Sequence, residues 1–123
     1  LVGSEMCIRD SKKIYKEDKQ MELFKNLLYE YQKGMRDLSL YTCKIKELKS
    51  FTETLEKYNI PYSVIDLGAD KANIFFGNKQ CLKILDKFSS QELNKITPHE
   101  DFILGIMLGY SRNEQYQRIL SKI

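Results

Sequence analysis

Between Thr97 and Tyr110 the chain reads TPHEDFILGIMLGY, a helix-start signal followed by a run with almost no polar side chain. Thr97, Pro98 and Glu100 fit a capping box with proline at the first helical position. The threonine hydroxyl accepts from a free backbone N–H, the glutamate reaches back, and proline gives up no useful donor there. From Phe102 to Met107 only Gly105 lacks a large apolar side chain, so no face is left for water. A helix apolar all round belongs in a core or a membrane. Phe102–Tyr110 is far shorter than the roughly 20 residues that span a bilayer. The expectation is a buried core helix lying across a sheet, each large side chain contributing roughly 1.5–3 kcal/mol by burial.

The rest of the chain must supply that sheet. With 123 residues it is long enough for one domain and for a core that needs no disulfide or metal. Its 42% hydrophobic and 30% charged residues describe an ordinary globular protein. The net charge of +3 is mild, and lysines alternate with Asp and Glu along most of the chain. That is a solvated surface rather than a phosphate-binding stripe, and no nucleic-acid partner is expected. Cys7, Cys43 and Cys81 show no paired spacing, and one histidine cannot complete a Cys/His metal set. No transmembrane run or signal peptide is apparent, so a cytoplasmic setting is expected.

Residues 1–18 are expected to be a non-native or disordered leader, with one α+β domain over 19–123. Leu1–Ser11 lacks helix or strand periodicity and resembles translated sequencing-adapter read-through. Cys7 therefore carries no functional weight. From Met21 the pattern becomes organised. Leu23, Phe24, Leu27, Leu28 and Tyr31 line one face of a helix that Gly34 would stop; a strand with a hairpin turn at Gln32-Lys33-Gly34 is the competing reading. Asp37–Lys44 alternates as a strand. Ile45–Tyr58 is an amphipathic helix with Ile45, Leu48, Phe51 (or Thr52) and Leu55 inward, ended by Asn59 in the left-handed conformation and by Pro61. Tyr62–Leu67 and Ala72–Phe76 form an antiparallel hairpin around Gly68–Lys71. Asn78 caps a helix over Lys79–Phe88, and a short capped turn spans Ser89–Ile96. Ser111–Ile123 is a last amphipathic helix with Tyr116, Ile119 and Leu120 on its apolar side. The fold class is α+β, a two-layer α/β sandwich with a small, mostly antiparallel sheet. Gly105 and Gly109 leave a smooth groove for a close neighbour, within the monomer or from another chain.

Three segments carry a family resemblance: Tyr29–Leu38 (YEYQKGMRDL), Asn73–Gly77 (NIFFG) and Glu100–Tyr110 (EDFILGIMLGY). From about Leu23 to Leu120 the chain resembles the bacterial domain-of-unknown-function family twenty-twenty-three. The resemblance implies a small two-layer α/β sandwich and, since members are often encoded beside a flavodoxin, redox company. Some relatives carry a cysteine in the final helix, where this chain has Gln115-Tyr116-Gln117; that departure argues against a required thiol there. The family brings no catalytic residues and no cofactor.

Candidate chemistry is sparse. Cys81 lies just inside a helix start, where the dipole can lower a thiol pKa, but a small buried core residue is the favoured reading, as it is for Cys43. His99, Glu100 and Asp101 could be an acid/base or metal cluster, yet acidic residues are favoured in a first helical turn anyway. Phosphate-binding, dinucleotide and hydrolase fingerprints do not occur. The most informative polar cluster is Tyr29, Glu30, Tyr31, Lys33, Arg36 and Asp37, of which Tyr29, Tyr31, Lys33 and Arg36 could dock an acidic partner such as a flavodoxin, since tyrosine and arginine are enriched in interface cores. Tyrosines capping the core under a rim of charge would look the same in sequence. The function expected is thus a non-enzymatic accessory module. The alternatives are a small-molecule-binding sensor with a pocket between sheet and central helix, and a thiol-dependent enzyme.

Overall fold

A computed structural model of the protein describes residues 19–123. The expectations for the leader, residues 1–18, lie outside the described residues. The first helix, α1 (residues 19–32), settles the helix-or-strand ambiguity in favour of helix. Phe24 and Leu28, four apart, are buried on its inner face, while Leu23 points outward instead of joining them. β1 (Leu38–Lys44), a single 3₁₀ turn (Ile45–Glu47) and α2 (Leu48–Lys57) follow. Next come β2 (Tyr62–Gly68), β3 (Lys71–Gly77) and α3 (Lys79–Asp86). The chain ends in α4 (Pro98–Met107) and α5 (Arg112–Lys122).

β3 is the central strand, antiparallel to β1 on one side and to β2 on the other. The β2–β3 hairpin turns through Ala69 and Asp70, both at positive φ, as the twist of a two-residue hairpin demands. Register and alternation give each face its own core. Tyr41, Cys43, Ile74, Phe76 and Tyr62 face α1 and α2, where they meet Phe24, Leu28, Phe51 and Leu55. Leu38, Leu40, Phe75 and Ile65 face the other way, onto Cys81 and Leu82 of α3 and Leu104, Met107 and Leu108 at α4. The α+β class and the antiparallel sheet are as expected. The layering goes one step further than the sequence reading, because β1 and β3 carry apolar residues on both faces and each face draws its own helices. Ser39 is fully buried on the α1/α2 face with no hydrogen-bond partner for its hydroxyl. An unpaired buried hydroxyl is destabilising, so Ser39→Ala should be neutral or stabilising by up to about 1 kcal/mol in urea unfolding.

α4 corrects the expectation of a wholly buried helix. Leu104 and Met107 point to the sheet, but Ile103 and Ile106 are each 39% exposed, and Tyr110 beyond the helix is more exposed still. The sheet can cover only one side of α4, and α5 covers only the flank bearing Gly105. The α4–α5 pair is close because Gly105 has no side chain. A Cβ there would lie 2.0 Å from Oε1 and 2.4 Å from Cδ of buried Gln115. The groove foreseen at Gly105 is thus filled from within the monomer. Gly105→Ala should destabilise by about 1–2 kcal/mol despite alanine's better helix propensity. Combined with Gln115→Ala the same change should become neutral or favourable. A double-mutant cycle showing no coupling between the two sites would refute the contact.

Candidate interaction surface

α1 ends at Gly34, whose φ of +76° lets the chain reverse. Gly34 N–H donates to Tyr31 O at 3.0 Å and Met35 N–H to Glu30 O at 2.9 Å, a complete Schellman motif. That turn leaves Met35 65% exposed and sends Arg36 towards α4. Arg36 Nη1 donates to Leu108 O at 3.2 Å, and its Nε donates to the Glu30 carboxylate. α4 ends in the same motif, with Gly109 at φ +80° and Tyr110 N–H donating to Gly105 O at 3.0 Å. Two helix C-termini therefore meet at one guanidinium, which offsets the negative ends of their dipoles. The segment Asn73–Gly77 joins at the same loop, where Gly77 pairs with Leu38 and Asn78 N–H, one residue on, donates to Asp37 O at 2.8 Å.

The four residues singled out from sequence divide. Tyr29 is 56% exposed, and Lys33 Nζ lies 5.5 Å from its ring centroid, so these two form one outward cation–π unit. Tyr31, two positions on and so on the opposite side of the helix, packs against the α1/α2 core. Arg36 is engaged by Glu30 and Leu108, which makes it a tie between elements more than a free cation. Met35 and Tyr110 were not foreseen as surface. Met35 is adjacent to Gly109 in space, since a Cβ on that glycine would lie 3.9 Å from Met35 O. Tyr29 and Met35 are thus large exposed side chains on the α1 side of the Arg36 tie, while Tyr110, also exposed, lines the α4–α5 side with Arg118.

The other candidates are occupied elsewhere. Cys81 and Cys43 are buried, and burial pushes both thiols up, helped by the charges of Asp37 and Glu47 respectively. That is the reverse of activation by a helix start. Asp101 receives Arg118 Nε at 2.6 Å and Nη2 at 3.1 Å, with Lys122 at 3.2 Å, tying α4 to α5. Among the described residues no group of three His, Cys, Asp or Glu side chains is placed to hold a metal.

Glu100 completes the capping box with Thr97, and its carboxylate also accepts from Ser89 Oγ at 2.6 Å and Ser89 N–H at 2.7 Å. Ser89, then the Thr97 backbone, holds its pKa down at about 2 against the usual 4.5. The charged form is the one the fold favours, so its contribution is complete above pH 4.5 and fades as pH falls towards 2. Glu100→Gln should therefore be less stable than the parent at pH 7, the gap closing across that interval. Paired thermal melts from pH 7 to pH 2 check this, and a gap independent of pH would refute it. Thr97→Ala, which removes the other half of the cap, should cost about 1 kcal/mol.

No curated protein matches the chain. The family described as "Protein of unknown function (DUF2023)" matches it over residues 22–122, nearly all of the described domain, and the chain belongs to that family.

Proposed function

We propose that the protein is a non-enzymatic accessory module that docks an acidic redox protein of the flavodoxin class. The contact would be made through Tyr29, Lys33 and Met35. The observation carrying this reading is the junction of α1 and α4 at Arg36, which fixes the backbone beside the exposed side chains of Tyr29 and Met35. Tyrosine beside a cation is what a protein interface uses as an anchor, because a stiff ring loses little side-chain entropy on binding, and a flexible methionine adapts to the partner's shape. Lys33 supplies steering towards an acidic surface.

Titrating the protein with an acidic flavodoxin tests the reading. Binding is expected at low ionic strength and should weaken as salt rises, since exposed charges are screened beyond about 10 Å at 0.1 M. Tyr29→Ala should weaken it at least tenfold and Lys33→Glu should remove most of its salt dependence. Absence of binding at low salt would end the proposal.

A second reading, a small-molecule-binding domain, is favoured by an open cleft of about 880 Å³ on the α3/α4 face of the sheet. It lies between the strands and residues 90–94, beside α4 instead of beneath it.

A further inference from the structure

The floor of that cleft holds a hydrogen-bonded polar pair among apolar neighbours. Asn73 sits in the central strand and is only 4% exposed. Its carboxamide oxygen accepts from Thr42 Oγ1 at 2.6 Å. Among the described residues no protein group accepts from its NH₂ end, and Asn73 and Thr42 both line the cleft. The NH₂ end is thus the part of this nearly buried side chain left facing the open cleft, where it is free to donate.

We propose that the cleft binds a small uncharged molecule carrying a carbonyl next to an N–H, the edge of a lactam or pyrimidine-type ring. This rests on the small-molecule reading and adds the class of ligand. The Thr42 hydroxyl spends its proton on Asn73, so its lone pairs accept from the ligand N–H, while the Asn73 NH₂ donates to the carbonyl. Leu40, Ile65 and Leu93 border this pair and supply apolar contact for a flat ring. Asp66 and Glu92 stand among the lining residues. Glu92 pairs with Lys95 at 2.9 Å, whereas Asp66 accepts from Gly68 N–H and has no ion-pair partner among the described residues. An anion entering here meets a carboxylate field, and an uncharged ring does not. The cleft is open on one side, so a fragment-sized ligand should bind in the high micromolar to millimolar range.

The test is an amide-resolved NMR titration of the isotope-labelled full chain with uracil, and with benzoate as an anion of similar size. Uracil should shift the Asn73 side-chain NH₂ and the backbone amides of Ile65 and Leu93 saturably, and benzoate should not. Asn73→Leu should abolish those shifts. Thr42→Val, at an exposed edge-strand position, should weaken binding at least fivefold, and Thr42→Ser, which keeps the hydroxyl on Asn73, should retain it. Equal shifts from benzoate at the same amides would overturn the ligand class and leave the small-molecule reading standing. A thermal-shift screen of charged and uncharged fragments separates the remaining outcomes. A melting-point rise only with compounds lacking the carbonyl/N–H edge overturns the inference alone. No rise with any fragment, together with no uracil shift, overturns both.

Discussion

Gly77→Ala is expected to lower stability by roughly 3 kcal/mol, an unusual loss for the addition of one methyl group. Gly77 has φ +140°, a region that non-glycine residues occupy at a cost of about 1–3 kcal/mol. Space is lacking as well. A Cβ there would lie 2.5 Å from Asp37 O and 3.2 Å from Leu38 Cα. Both are backbone atoms, held by the pairing of Leu38 with Gly77 and by Asn78 N–H on Asp37 O at 2.8 Å. Neither can rotate away as the end of a side chain would. Gly34→Ala is the control. Its φ of +76° is also left-handed, but nothing lies within 4 Å of the added carbon, so only the conformational cost of about 1–2 kcal/mol applies. Urea unfolding of both variants, with midpoints compared at unchanged slope, separates crowding from backbone strain. If Gly77→Ala proves no worse than Gly34→Ala, the close approach of β3 to the loop before β1 is wrong. The Tyr29–Met35 surface would lose its support with it.

What sequence could reveal here follows from how local each cause is. The capping box at Thr97, the Asn78 cap on Gln80 N–H, and the left-handed stops at Gly34 and Asn59 each need only a few consecutive residues. All of them were legible. The α1 segment was not, because Leu23, Phe24, Leu27 and Leu28 suit a helix face and a buried strand almost equally; the choice is made by Phe51 and Phe76, far away in sequence. Tyr29 and Tyr31 looked like one cluster because they are neighbours on the string. Two positions turn a helix by about 200°, so the same spacing puts them on opposite sides. The exposure of Ile103 and Ile106 was beyond reach for a different reason. A helix's composition states what it could bury, whereas the cover available depends on the width of the sheet and the reach of α5. Arg36 and Asn73, on which the two proposals rest, each take their geometry from a partner contributed by another element, Leu108 and Thr42.

Phe24→Ala is expected to be the most damaging truncation, at about 3–5 kcal/mol. The side chain is fully buried, with ring centroids 4.7 Å from Phe51, 5.3 Å from Phe76 and 5.6 Å from Tyr41. Aromatic contacts at such spacing add to simple area burial. Phe24 and Leu28 are also the only α1 side chains fully within this core, so the helix carrying Tyr29 and Lys33 should loosen with the truncation. Total stabilities of domains this size are about 5–15 kcal/mol, so coupling is better measured with the milder Phe24→Leu, Phe51→Leu and Leu104→Val. Phe24 and Phe51 touch, and their changes should be non-additive by at least 0.5 kcal/mol or so. Phe24 and Leu104 lie on opposite faces of the sheet in separate cores, and their changes should add to within about 0.5 kcal/mol. Hydrogen exchange then distinguishes the faces directly. Phe24→Leu should speed exchange across α1 amides and leave those of α4 close to the parent. Strong coupling between Phe24 and Leu104 would mean that the sheet transmits strain between its faces. Ligand occupancy of the Asn73 cleft could then be felt at Tyr29, and the two surfaces would be one linked system instead of two.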